Sequence, residues 1–170
     1  MFTYDIAKEE YLNQLLTKLL GEKYLVAKHF DMPVYTIPVE NILQVFKTLY
    51  DDEVLQFRFL TSLCGVHYPN QELSLGVVYQ LHSFANNFRI RIKTFAEEAK
   101  PEIPSLTPIF EAANWLERET YDFFGIIFTG HPNLKRILNM DNFVGFPLRK
   151  GFPLEDQTRE DKIDSFFGRD

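Results

Sequence analysis

The sequence predicts an α+β fold, and three observations carry that reading. Apolar residues recur at helical spacing in some stretches, alternate at strand spacing in others, and follow no period after residue 125. The expected build is N-terminal helices, a small mainly antiparallel sheet, a third helix and an extended, irregular C-terminal arm. Residues 1–125 form the globular domain and residues 126–170 the arm.

The first helix is read from Leu12, Leu15, Leu16, Leu19 and Leu20, which fall on one face within residues 5–20, with Gly21 placed to end it. A short apolar stretch at Tyr24-Leu-Val-Ala and an extended Pro33–Pro38 follow. A second helical pattern then runs through Val39, Ile42, Leu43, Phe46 and Leu49, and Asp51-Asp52 marks a turn. Residues 55–63 alternate, with Leu55, Phe57, Phe59 and Leu63 on one side, as a half-buried strand does. Residues 72–82 and 88–95 read as an antiparallel hairpin turning at Asn86-Asn87. The third helix is expected from about residue 108, with Thr107 as N-cap, Pro108 at its first position and Gly125 near its end. Ile109, Ala112, Ala113, Leu116 and Thr120 form its inward face.

Composition narrows the function. The 170 residues are 45% hydrophobic and 15% aromatic, enough for one domain with a core. No apolar run of about 18 residues occurs and the first residues lack a signal-peptide pattern, so the chain is expected in the cytosol, meeting a membrane only through a partner. The net charge of -6, with no long basic cluster, argues against nucleic acid. One cysteine, Cys64, supplies neither an internal disulfide nor the thiolates of an iron–sulfur cluster. From Gly125 onward the chain holds five of the eight glycines and many aromatics, among them Phe128, Phe143, Phe146, Phe152, Phe166 and Phe167. Rings on an irregular segment need a surface to lie on, and another protein is the favoured one.

Three segments bear on chemistry. Glu117-Arg118-Glu119-Thr-Tyr-Asp122-Phe-Phe-Gly125 sets three carboxylates and an arginine together. On a helix Arg118 and Asp122 share a face and pair, while Glu117 and Glu119 diverge by roughly 200°, so a solvated or interface ion-pair cluster is favoured over an acid/base pair. In Gly130-His131-Pro132 the glycine and proline demand a turn, which makes His131 a turn residue rather than a ligand, and Lys135-Arg136 suits a carboxylate surface. In Gly145–Leu154, two Pro-Leu pairs and two glycines set an extended course presenting Phe146, Leu148, Phe152 and Leu154 beside Arg149 and Lys150, the composition of interface hot spots. His29, His67 and His82 are isolated, and no phosphate loop, nucleophile elbow or His-Glu-x-x-His is present.

Taken in order, these segments resemble one family: the C subunit of NADH-quinone oxidoreductase, which is the 30-kilodalton subunit of complex I. That family shows Glu-Arg-Glu-x-x-Asp-x-Phe-Gly, then Gly-His-Pro-x-Leu-x-Arg-Ile-Leu, then Gly-His-Pro-Leu-Arg-Lys-Asp-Phe-Pro-Leu. Here the corresponding stretches are 117–125, 130–138 and 145–154, and Leu60–Pro69 resembles the family's Leu-Thr-x-Val-Asp-Tyr-Pro. Phe146 stands where the family has histidine and Gly151 where it has aspartate, so no role of those two family residues is carried over to this chain.

The resemblance implies a non-catalytic structural and assembly subunit in the peripheral quinone-reducing module of a proton-translocating NADH:quinone oxidoreductase. It implies a place on the cytoplasmic side of the membrane, with the D subunit of that complex as chief partner and the B subunit as another. Iron–sulfur clusters, FMN and quinone then belong to partner subunits, with none bound by this chain. The expected interface residues are Arg118, Glu119, Asp122, His131, Arg136, Phe146, Leu148, Arg149, Lys150 and Phe152. With the chain stopping at Asp170, a fusion of the C and D subunits is not expected. Three other readings stand beside this one. The first is the equivalent subunit of a membrane-bound hydrogenase, formate hydrogenlyase, or ferredoxin- or F420-linked complex. The second is a free-standing acid/base or metal enzyme using Glu117, Glu119 and His131, and the third is a binding module unrelated to respiration.

Overall fold

A computed structural model describes residues 6–30 and 32–153. Leu154, Phe166 and Phe167, expected in the arm, lie outside the described residues. The elements run α1 (Ile6–Leu20), β1 (Leu25–His29), β2 (Met32–Thr36), α2 (Ile42–Asp51), β3 (Phe59–His67), β4 (Leu75–Ser83), β5 (Phe88–Ala96), β6 (Glu102–Pro104), α3 (Ala113–Phe124) and β7 (Ile127–Thr129), with a 3₁₀ turn at Val39–Asn41 leading into α2. The main sheet has the order β1-β2-β5-β4-β3 and is antiparallel except where β2 meets β5, while β6 and β7 form a separate parallel pair.

The helices and one face of the sheet share a core. From α1 come Leu12, Leu16 and Leu20, one turn apart, and from α2 Ile42, Val45, Phe46 and Leu49. They meet Tyr79, Leu81, Ile90 and Ile92 of β4 and β5, with the Phe46 and Tyr79 rings 4.9 Å apart edge to face. Gly21 closes α1 in the left-handed region at φ 62, its N–H donating to the Thr17 carbonyl. The β4–β5 hairpin turns over residues 84–87 with Asn87 at φ 47. The Asn86 side chain donates to the Val54 and Leu55 carbonyls, tying the hairpin tip to the loop before β3.

Two expected elements begin later than their patterns suggest. β3 starts at Phe59, not near residue 55, because Asp52 Oδ1 accepts the N–H groups of Val54 and Leu55 and folds that stretch into a turn. Leu55 and Phe57 are buried from this loop, whereas Phe59 is 43% exposed on the opposite side. An irregularity between Leu60 and Ser62 brings both Leu60 and Leu63 inward.

α3 starts at Ala113, not at residue 108. Leu106–Phe110 makes a turn of its own that drives Phe110 into the core against Phe46 and Tyr50. Thr107 accordingly pairs its hydroxyl with Ser105 rather than capping the helix, and Ala112, expected inward, is exposed. After Gly125 the chain continues as β7, with Ile126 and Phe128 both in the core, so the expected boundary at 125/126 falls just before these buried residues. Beyond Thr129 the described chain is turns and bends.

Candidate functional site

The charged end of α3 and the segment that folds back onto it form the candidate site. α3 offers Glu117, Thr120 and Phe124 to the body and Arg118 and Asp122 to the returning chain, a division set by its 3.6-residue period. Gly125 ends the helix at φ 72, and its N–H donates to the Tyr121 carbonyl.

Glu117 is fully buried, so it stands outside the solvated or interface ion-pair cluster expected of this segment, whereas Glu119 is exposed. Its carboxylate accepts the Ser105 hydroxyl at 2.6 Å and the Leu106 N–H at 2.7 Å, so it ties the loop before α3 to the helix. Burial pushes this carboxyl up to about 7, against the two hydrogen bonds that favour its charged form.

Asp122, also fully buried, does not pair with Arg118. Its two oxygens accept the N–H groups of Ile137, Leu138 and Asn139, the Asn139 amide, and Arg136 Nη1 at 2.7 Å. Burial alone would raise this carboxyl, but the Asn139 and Arg136 hydrogen bonds outweigh it and hold Asp122 well below the usual carboxylate range. Arg136 continues to the carbonyls of Asp122, Phe143 and Gly145, and Arg118 donates to the carbonyls of Lys135 and Arg136. These guanidiniums satisfy backbone acceptors that a segment without regular structure would otherwise leave open.

The arm is pinned again further on. Arg149 donates to the Phe124 carbonyl at 2.7 Å and to Glu98 at 3.1 Å, and the Lys150 N–H donates to His67 Nδ1 at 3.0 Å. His67, isolated in sequence, thus joins β3 to the arm. Phe146 stands between two guanidiniums, with Arg149 at 4.7 Å and Arg136 at 5.4 Å from its ring centre. The ring lies so close over Gly125 that a Cβ there would come within 2.5 Å of it, and Phe152 covers Gly145 in the same way. The Gly145–Pro153 course is a series of tight turns, Arg149 N–H to Phe146 carbonyl and Phe152 N–H to Arg149 carbonyl, where an extended path was expected.

His131 is the turn residue expected: its Nε2–H donates to the Asn114 carbonyl and its Nδ1 accepts the Asn133 N–H. Both ring nitrogens are therefore engaged, Glu117 is sealed in the body and Glu119 is exposed. Among the described residues, no group of three or more His, Cys, Asp and Glu side chains is placed to hold a metal.

With its backbone so fixed, the arm turns apolar side chains outward. Leu138 is 64% exposed, Met140 72%, Val144 87% and Leu148 52%. Trp115 on α3, 61% exposed under the Arg118 guanidinium, was not foreseen as a site residue, although its position three before Arg118 puts it on the same helix side. Leu148, Lys150 and Glu119 are exposed, whereas Phe146, Phe152 and the three arginines are half-buried or buried.

An α+β body that spends its buried charges on holding an arm, and shows apolar side chains along it, has the build of a subunit of a larger assembly. The chain belongs to the respiratory-chain NADH dehydrogenase 30 kDa subunit family, whose model matches residues 35–158. It is 51% identical over 124 residues to the NADH-quinone oxidoreductase C subunit of Roseiflexus sp. (strain RS-1), the match covering 73% of this chain and 71% of that protein. It is 44% identical over 155 residues to the corresponding C subunit of Citrifermentans bemidjiense, covering 90% and 89%. Among solved structures it resembles the trypsin-resistant fragment (1-134) of Nqo5, with a TM-score of 0.62 and 26% identity over 72% of this chain and 98% of the fragment. The family and the α+β fold expected from the sequence are thus borne out, and with them a subunit role in a complex of the NADH-quinone oxidoreductase type. No helix of the described residues is long and apolar enough to cross a membrane.

Proposed function

We propose that this chain is a non-catalytic scaffold in the quinone-reducing module of its complex. It docks chiefly on the D subunit and also on the B subunit, on the cytoplasmic side of the membrane, while FMN, iron–sulfur clusters and quinone reside in neighbouring subunits. The observation that supports this most is the pinned arm with outward Leu138, Met140, Val144 and Leu148, since exposed apolar side chains on a hydrogen-bonded backbone bind without a large ordering cost. In this reading Arg118, Asp122, Arg136, Phe146, Arg149 and Phe152 shape the surface from beneath. Leu148, Lys150, Glu119 and the His131 turn lie on it.

The test is affinity purification of a tagged copy from mildly solubilised membranes of its host, with co-purifying proteins identified by mass spectrometry. Recovery with the D and B subunits supports the reading, and recovery of the tagged protein alone refutes it.

A further inference from the structure

The face of the sheet turned away from the helices carries a line of cations. Burial alternates along β5, so Ile90, Ile92 and Thr94 point into the body and Arg89, Arg91 and Lys93 point out. Alternate residues on a strand lie about 7 Å apart, and β5 is the middle strand of five, so the three charges form a row down the centre of this face. Across the row from them, β4 supplies His82, Gln80 and Val78, and β2 supplies Val34 and Thr36; none is a carboxylate.

Arg91 and Lys93 form no ion pair among the described residues. Among the described residues the Arg91 Nε is sealed from solvent with no hydrogen-bond partner, an arrangement that costs free energy until an acceptor arrives. At one end of the row the Phe59 and Phe84 rings lie 5.0 Å apart, 43% and 69% exposed. Arginine beside exposed aromatics is the composition of protein interfaces.

We propose that this sheet face is a second docking surface, separate from the arm, and that it receives an acidic segment of a neighbouring protein chain. Charge complementarity selects the occupant: a row of cations with no acidic residue at the paired positions of β2 and β4 meets carboxylates at matching spacing. The short row, with Arg91 and Lys93 half-buried beside Val34 and Val78 and set in a chain of net charge -6, fits a peptide better than an extended polyanion such as a nucleic acid or an anionic membrane. The inference rests on the subunit reading above and deepens it.

The test uses the tagged full-length protein in the complex purified from host membranes. A water-soluble carbodiimide joins Lys93 only to a carboxylate in direct contact, and peptide mass spectrometry identifies the joined residue. The expected result is a Lys93 crosslink to an Asp or Glu of another subunit, together with loss of amine labelling at Lys93 relative to the free protein. A Lys93 joined only to this chain's own acidic residues, or labelled as readily in the complex as outside it, overturns the proposal while leaving the arm-docking reading intact. Protection that vanishes when native lipid is exchanged for neutral detergent assigns the face to anionic lipid and also overturns it. Recovery of the tagged protein without partners refutes both readings. As a second readout, the Arg91→Gln/Lys93→Gln variant should co-purify less with the subunit that was crosslinked while unfolding at the same temperature as the parent.

Discussion

Asp122 gathers three backbone N–H groups, an amide and a guanidinium on one carboxylate, and this makes it the residue on which the arm most depends. Asp122→Asn keeps the shape but leaves the buried Arg136 charge without its partner and turns an amide toward N–H donors. A loss of about 3 kcal/mol is expected, on the scale for breaking a buried pair. Amide exchange over residues 135–150 should then accelerate roughly 100-fold with the body unchanged; unaltered protection there would contradict the assigned role. Because the folded carboxyl titrates below its ordinary value of 3.8, its contribution is complete above that value and is lost only as pH falls below it. Glu117 behaves in the opposite sense. Its carboxyl is raised from 4.5 to about 7, so its share of stability is complete below 4.5 and declines as pH rises to about 7 and beyond. Glu117→Gln should flatten that decline and raise stability at pH 8 by about 2 kcal/mol, somewhat less than the shift itself implies because the hydrogen bonds change. Chemical unfolding of both proteins at pH 5 and pH 8 measures it, and parallel declines would contradict it.

At the scale of elements, the close packing of α3 on β3 rests on a missing side chain. A Cβ at Gly65 would approach the Phe124 ring to 2.4 Å, so Gly65→Ala forces the helix off the strand and should cost about 1–3 kcal/mol. For a chain of this size that corresponds to a fall in melting temperature of roughly 2–10 °C, and no fall would show that α3 sits further out. The hairpin of β4 and β5 was plain in the sequence because alternation and turn residues agree there. The start of α3 was not, because the signals at Thr107 and Pro108 are those of a helix, and only the burial of Phe110 against Phe46 and Tyr50 diverts them into a separate turn. The start of β3 was hidden similarly: Leu55 and Phe57 keep strand-like spacing while the Asp52 side chain bends their backbone.

For the whole molecule, the decisive division is between side chains that hold the arm and side chains the arm shows. Val144→Asp combined with Leu148→Asp places two charges where both residues are exposed, so the melting temperature should stay within about 1 °C, as surface substitutions do. Co-purification with the other subunits should nevertheless be lost, and a doubly substituted protein that still assembles would show that this surface is not used. Arg149→Ala, by contrast, should loosen the arm itself, since it removes bonds to Phe124 and Glu98 that join arm to body.

By itself the sequence determined the class of fold, the family and the segments that matter, because periodicity, turn residues and ordered motifs are local in the chain. What each charged residue in those segments does was decided only in three dimensions. Arg118, Asp122, Arg136 and Arg149 read as an interface cluster, yet they meet this chain's own carbonyls and carboxylates. The partners lie up to 51 residues away, as for Arg149 and Glu98, and no local pattern reports a contact that folding alone creates.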